Sequence, residues 1–182
     1  MAATPPETSV IEHELRVAAR PETVFAFFTD PAKMVQWMGA EATLDPRPGG
    51  ICRIAFQPTQ TRVESLGTDL LGEHAQRSEP IGEAAAVMSG RYVEVDPYRR
   101  IEFTWGWEQE VLAAPPQSTI VEVSFIPDGE GTLVRFAHRQ IPPATVDYHR
   151  AGWEHYLARL AIAAAGGDPG PDPWQRTADD RS

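Results

Sequence analysis

The sequence predicts an α+β domain in which a curved antiparallel sheet wraps around one long C-terminal helix, with two short helices after the first strand. Three observations carry this reading. Apolar and polar residues alternate with period two in several segments separated by hairpin-type turns. Two compact apolar stretches, each opened by a proline, follow the first of those segments. Near the C-terminus, Trp153, Tyr156, Leu157, Leu160 and Ala164 recur at helical spacing.

The elements follow in order. Ile11, His13, Leu15 and Val17 alternate with Glu12, Glu14 and Arg16, as in a strand with one wet face. Arg20-Pro21-Glu22 opens a helix carrying Val24, Phe25, Phe27 and Phe28, and Asp30-Pro31 caps a second through Met34, Val35 and Trp37. Ala42–Leu44 is a short strand, Pro46–Gly50 a turn and Ile51–Phe56 a strand. Strand patterning returns over Met88–Val95, Arg99–Glu108, Ser118–Ile126 and Leu133–Ile141, with turns at Asp96-Pro97, around Pro115-Pro116, and at Asp128–Gly131. The last helix spans about Val146 to Ala165, and Gly166-Gly167 ends it.

Between these strands, residues 57–87 break the rhythm with three glycines and two prolines, and read as an inserted flap. Val63, Leu66, Leu70 and Leu71 are spaced for one short amphipathic helix within it. Residues 1–8 and 167–182, rich in proline or in proline, glycine and aspartate, read as disordered tails around a single domain at 9–166.

Composition narrows the function classes. With 182 residues, 42% hydrophobic and 23% charged, the chain has the make-up of an ordinary globular protein large enough to fold on its own core. Sixteen Lys and Arg against 26 Asp and Glu give a net charge of −10, which repels a phosphate backbone or an anionic membrane, so no nucleic-acid or membrane partner is expected. The lone Cys52 cannot form an internal disulfide, and the N-terminus lacks a signal-peptide pattern; a cytoplasmic protein is expected. No Gly-rich phosphate loop, GxSxG, HExxH or paired CxxC occurs, so the sequence specifies neither cofactor nor metal. Nothing in it specifies an oligomeric state.

Five stretches in order now become informative: Thr29-Asp30-Pro31 leading to Trp37; Asp45–Gly50; Gly90–Pro97; Arg100–Trp105; and Gly152–Leu157. With them the chain resembles the START-like (SRPBCC) superfamily of helix-grip folds. Within it, the chain is similar to the family named after the activator of the heat-shock protein 90 ATPase. The resemblance covers nearly the whole domain. Trp37-Met38 stands where many relatives carry two aromatics, and the 57–87 insertion is longer than the resemblance leads one to expect there. The resemblance implies an internal hydrophobic cavity and one of several roles: binder of lipids or aromatic compounds, polyketide cyclase, enediyne self-resistance protein cut by the toxin it absorbs, or co-chaperone.

Strand parity selects the residues for such a site. Ile101, Phe103, Trp105 and Trp107 share one face, as do Cys52, Ile54 and Phe56; Val121, Val123 and Phe125; and Val134, Phe136 and His138. With Trp37, Met38, Tyr92, Trp153 and Tyr156 they make an aromatic interior suited to a flat apolar ligand, or simply a packed core. His138, with Tyr92 and His13 as expected polar neighbours, is the candidate to position a ligand oxygen or act as a base in a cyclase. His149 and His155 do not share a helical face, which argues against a metal site. Cys52 reads as an inert buried thiol. Gly106, between two tryptophans, is a candidate for sacrificial cleavage by a diradical that takes its Cα hydrogen; the competing reading is a bulge or a close backbone contact. The leading expectation is a non-enzymatic protein that sequesters a hydrophobic aromatic molecule, an enediyne-type antibiotic among them.

Overall fold

The computed structural model describes residues 8–57, 86–109 and 114–175. The expected helix over 63–71, both chain ends and most of the flap lie outside those residues. Within them the chain forms β1 (Ser9–Val17), α1 (Pro21–Thr29), α2 (Pro31–Met34), β2 (Glu41–Leu44) and β3 (Ile51–Phe56). It continues with β4 (Ala86–Asp96), β5 (Arg100–Trp105), β6 (Thr119–Asp128), β7 (Gly131–Ile141), a 3-10 turn at Pro143–Thr145 and α3 (Val146–Ala164).

The strands form one antiparallel sheet in the order β1-β7-β6-β5-β4-β3-β2. Strands β2 to β7 run as a meander, and α1 and α2 carry the chain from one sheet edge, β1, to the other, β2. The β6–β7 turn is tight because Gly129 takes φ +60° between the paired Asp128 and Gly131. The sheet curves around α3, giving the helix-grip arrangement expected from the periodicities.

Each short helix has an identifiable start and stop. Pro21 opens α1, and the Asp30 carboxylate accepts from the Ala32 amide at 2.9 Å to cap α2. The carbonyls at the end of α1 are orphaned by helix geometry and find buried side-chain donors. The Trp37 indole donates to the Phe27 carbonyl at 2.9 Å, and the Tyr92 hydroxyl to that of Phe28 at 2.7 Å. Trp37 and Tyr92, selected by sequence as ligand residues, thus anchor α1 to α2 and to β4.

Among the boundaries that differ from expectation, three have a visible cause. Strand β4 begins at Ala86, because Phe56 pairs with Ala86 and Ala55 with Val87, so the ladder closes the flap ends two residues early. Strand β5 stops at Trp105 rather than Glu108. Beyond it Gly106 lies against the chain of Pro115 and Pro116, and the Trp107 amide donates to the Ala114 carbonyl; only an isolated Met88–Trp107 bridge continues the pairing. The segment after α3, read as a tail, packs back on the helix as far as Gln175. Asp172 accepts from His155 at 2.8 Å, Trp174 stacks on His155 at 3.8 Å between ring centroids, and Arg159 donates to the carbonyls of Pro169, Gly170 and Pro171. Residues 167–175 of the segment expected as a tail thus lie along one face of the helix, and 176–182 fall outside the described residues.

Candidate functional site

The buried side chains of β3 to β7 meet α3 in a continuous nest of rings. Trp105 lies 4.9 Å from Trp153 and 5.7 Å from Trp107, and Phe136 lies 4.4 Å from Trp153. Phe56 reaches Trp107 at 5.6 Å and Tyr156 at 5.7 Å, while Phe103 links Tyr92 to Trp105. Period two on the strands and the helical spacing of Trp153 and Tyr156 turn all of these inward. Trp37 and Met38 are buried in the same core, and Trp37 packs edge-on to Phe28 of α1.

Two histidines fix how α3 sits on the sheet. Thr119 on β6 has a single hydroxyl proton, which goes to the Trp105 carbonyl at 2.8 Å. The Thr119 oxygen therefore accepts from His138 Nε2 at 2.7 Å, leaving His138 Nδ1 to accept from the Trp153 indole at 2.9 Å. His149 is arranged the other way round. Its Nε2 accepts from the Trp107 indole at 3.2 Å, and its Nδ1 donates to the Thr145 carbonyl at 2.8 Å. Helix Trp153 donates to sheet His138, and sheet-side Trp107 donates to helix His149.

Both imidazoles are neutral. Burial pushes His138 far below the ordinary histidine range, and the neighbouring His149 adds to this. Burial also takes His149 down to about 4, against the opposing hydrogen bond to Thr145. The partners expected for His138 are not its partners: the Tyr92 hydroxyl is turned to Phe28, and His13 stands beside Phe136 with its Nε2 buried and unpartnered. With both nitrogens engaged, His138 has no lone pair left with which to accept a substrate proton. Burial raises Tyr92 well above the phenol range and Cys52 to about 12, so neither is an acid–base group near neutrality.

Gly106 is buried, and a Cβ added there would stand 1.8 Å from the Pro115 carbonyl oxygen, so backbone packing alone requires glycine. Sequence reasoning missed Thr119 and the role of His149. The signal for Thr119 was available, since it shares inward parity with Val121, Val123 and Phe125. For His149 the helical spacing to Trp153 marked the same buried face. No group of three His, Cys, Asp or Glu suited to a metal occurs among the described residues. No helix among them is long and apolar enough to cross a membrane.

The polar edges of Trp107, Trp153, His138 and His149 are turned on one another within an interior of apolar ring faces, which defines a helix-grip domain with an aromatic core. The profile described as "Activator of Hsp90 ATPase homolog 1-like protein" matches residues 18–165, and the chain belongs to that family. An AHSA1-like protein of Rhizobium etli, solved by NMR, is 34% identical, with 97% of this chain and 94% of that one covered and a TM-score of 0.62. CalU16 from Micromonospora echinospora is 21% identical over 85% of this chain and 75% of that one, at a TM-score of 0.59. DynU16, from the dynemicin biosynthetic locus, is 20% identical over 91% of this chain and 51% of that one, at 0.63. These last two likenesses concern the fold. No curated protein matches the chain.

Proposed function

We propose that the protein binds a hydrophobic, aromatic small molecule against the ring nest between the sheet and α3, and serves to sequester it. The observation that carries this reading is the nest itself. Trp105, Trp107, Trp153, Phe136, Phe56 and Tyr156 form one contiguous buried cluster of rings whose histidines are neutral and internally satisfied. Such rings offer stacking and dispersion, and the two histidines among them have both nitrogens engaged, which favours a binder over a cyclase. The DynU16 likeness supports an antibiotic of the enediyne type as the molecule sequestered, with the protein acting in self-resistance.

Intact-protein mass spectrometry, native and then denaturing, tests this after incubation with aromatic polyketides and a reductively triggered enediyne. A stoichiometric mass increase that vanishes on denaturation is the expected result. Chain fragments ending at a glycine would make the protein a sacrificial factor. Chemically altered small molecule beside unchanged protein would overturn the binder reading in favour of an enzyme.

A further inference from the structure

Among the interior indoles the hydrogen bonds are unevenly shared. Trp37 donates to Phe27, Trp107 to His149 and Trp153 to His138. Trp105, 3% exposed and ringed by Trp107, Trp153 and His138, has a fully buried Nε1 with no acceptor among the described residues. A buried donor without a partner forfeits about as much as a hydrogen bond is worth, and folded proteins rarely leave one so. The rings around it are those of the proposed ligand surface, and the histidines and indoles that touch it are already paired with other groups.

We infer that the ligand is a flat polycyclic aromatic bearing a hydrogen-bond acceptor, a ring ketone or quinone carbonyl, which takes the Trp105 N–H. This inference rests on the aromatic-ligand reading and adds the one polar feature that the ligand must have. A carbonyl suits the position because it accepts without bringing a donor or a charge that the apolar surroundings could not satisfy. A hydroxyl-only aromatic would bring a donor needing an acceptor of its own, and the ring nitrogens beside Trp105 are already engaged. Trp105 thereby becomes the specificity-determining residue, selecting carbonyl-bearing rings over hydrocarbons of the same shape.

The test pairs 9-fluorenone with fluorene, neutral planar probes that differ in a carbonyl against a methylene. Dissociation constants come from quenching of tryptophan fluorescence, and the Trp105 indole N–H is followed in proton–nitrogen spectra of the unmodified protein. Fluorenone is expected to bind about tenfold more tightly than fluorene, the worth of a buried donor gaining its acceptor. Trp105→Phe should abolish that preference while still binding both, and fluorenone alone should move the Trp105 indole proton downfield. If both probes bind equally and that proton does not respond, the N–H rests on a neighbouring ring face; the carbonyl inference then falls and the aromatic reading stands. The indole signal separates these outcomes even where Trp105→Phe fails to fold. If neither probe binds, the aromatic-ligand reading falls and the carbonyl inference with it.

Discussion

At the residue scale the two buried histidines decide how the protein responds to acid. His149 accepts one indole proton and donates its own, so a second ring proton would remove the acceptor that Trp107 uses. In the unfolded chain the same imidazole takes a proton near 6.5, whereas in the fold it resists until about 4. A folded value below the unfolded one means that stability is complete above pH 6.5 and is lost as pH falls from there towards 4. The difference corresponds to roughly 3 kcal/mol, and His138, shifted in the same direction, deepens the loss. Urea unfolding midpoints measured between about pH 7 and 4 should therefore drop steeply. His149→Gln, which cannot titrate, should flatten the profile; an identical slope in that variant would remove the assignment. Parity made the burial of His138 legible, but not its partners, because Thr119 and Trp153 come from β6 and α3 and strand alternation says nothing about which neighbours meet across a fold.

The element scale shows a conflict on the outer face that one residue resolves. The register sets Glu94 opposite Glu102 and Glu102 opposite Glu122, placing like charges side by side across β4, β5 and β6. Arg100 answers all three: it pairs with Glu94, with Glu102 at 3.0 Å and with Glu122 at 3.1 Å, while Arg139 reaches Glu122 at 2.8 Å. Its side chain is about one-third exposed, so solvent screens part of this attraction. Arg100→Gln should cost about 1 kcal/mol at low salt and much less in about 1 M salt, where charges are screened within about 3 Å. Thermal midpoints at the two salt concentrations check it, and an unchanged loss in high salt would mean that Arg100 acts through packing. The alternation of Glu102 and Thr104 with Ile101 and Phe103 puts the two pairs on opposite faces of the strand. That its acids are aligned became visible only with the strand register.

For the whole molecule, the buried indoles tie separate elements into one unit. Trp37, in the turn after α2, bonds to α1, Trp153 joins α3 to β7, and Trp107 joins the segment after β5 to α3. Unfolding followed by tryptophan fluorescence and by far-ultraviolet circular dichroism should accordingly give coincident two-state transitions. Fluorescence changing first would show that α3 leaves the sheet before the sheet melts.

The sequence by itself determined the architecture, since period-two alternation, helical spacing and turn chemistry are local signals repeated along the chain and the fold is their sum. It also determined which rings face inward, because a strand side chain has only two faces to choose between. Tertiary structure alone decided which of those rings serve as anchors and which form the nest. It turned Trp37 and Tyr92 to the end of α1, paired His138 and His149 each with an indole from the other layer, and left Trp105 Nε1 as an indole donor without an acceptor among the described residues. Hydrogen-bond partners depend on distances between residues far apart in the chain, and those distances are set by how far α3 stands from the sheet, a quantity that no local pattern encodes.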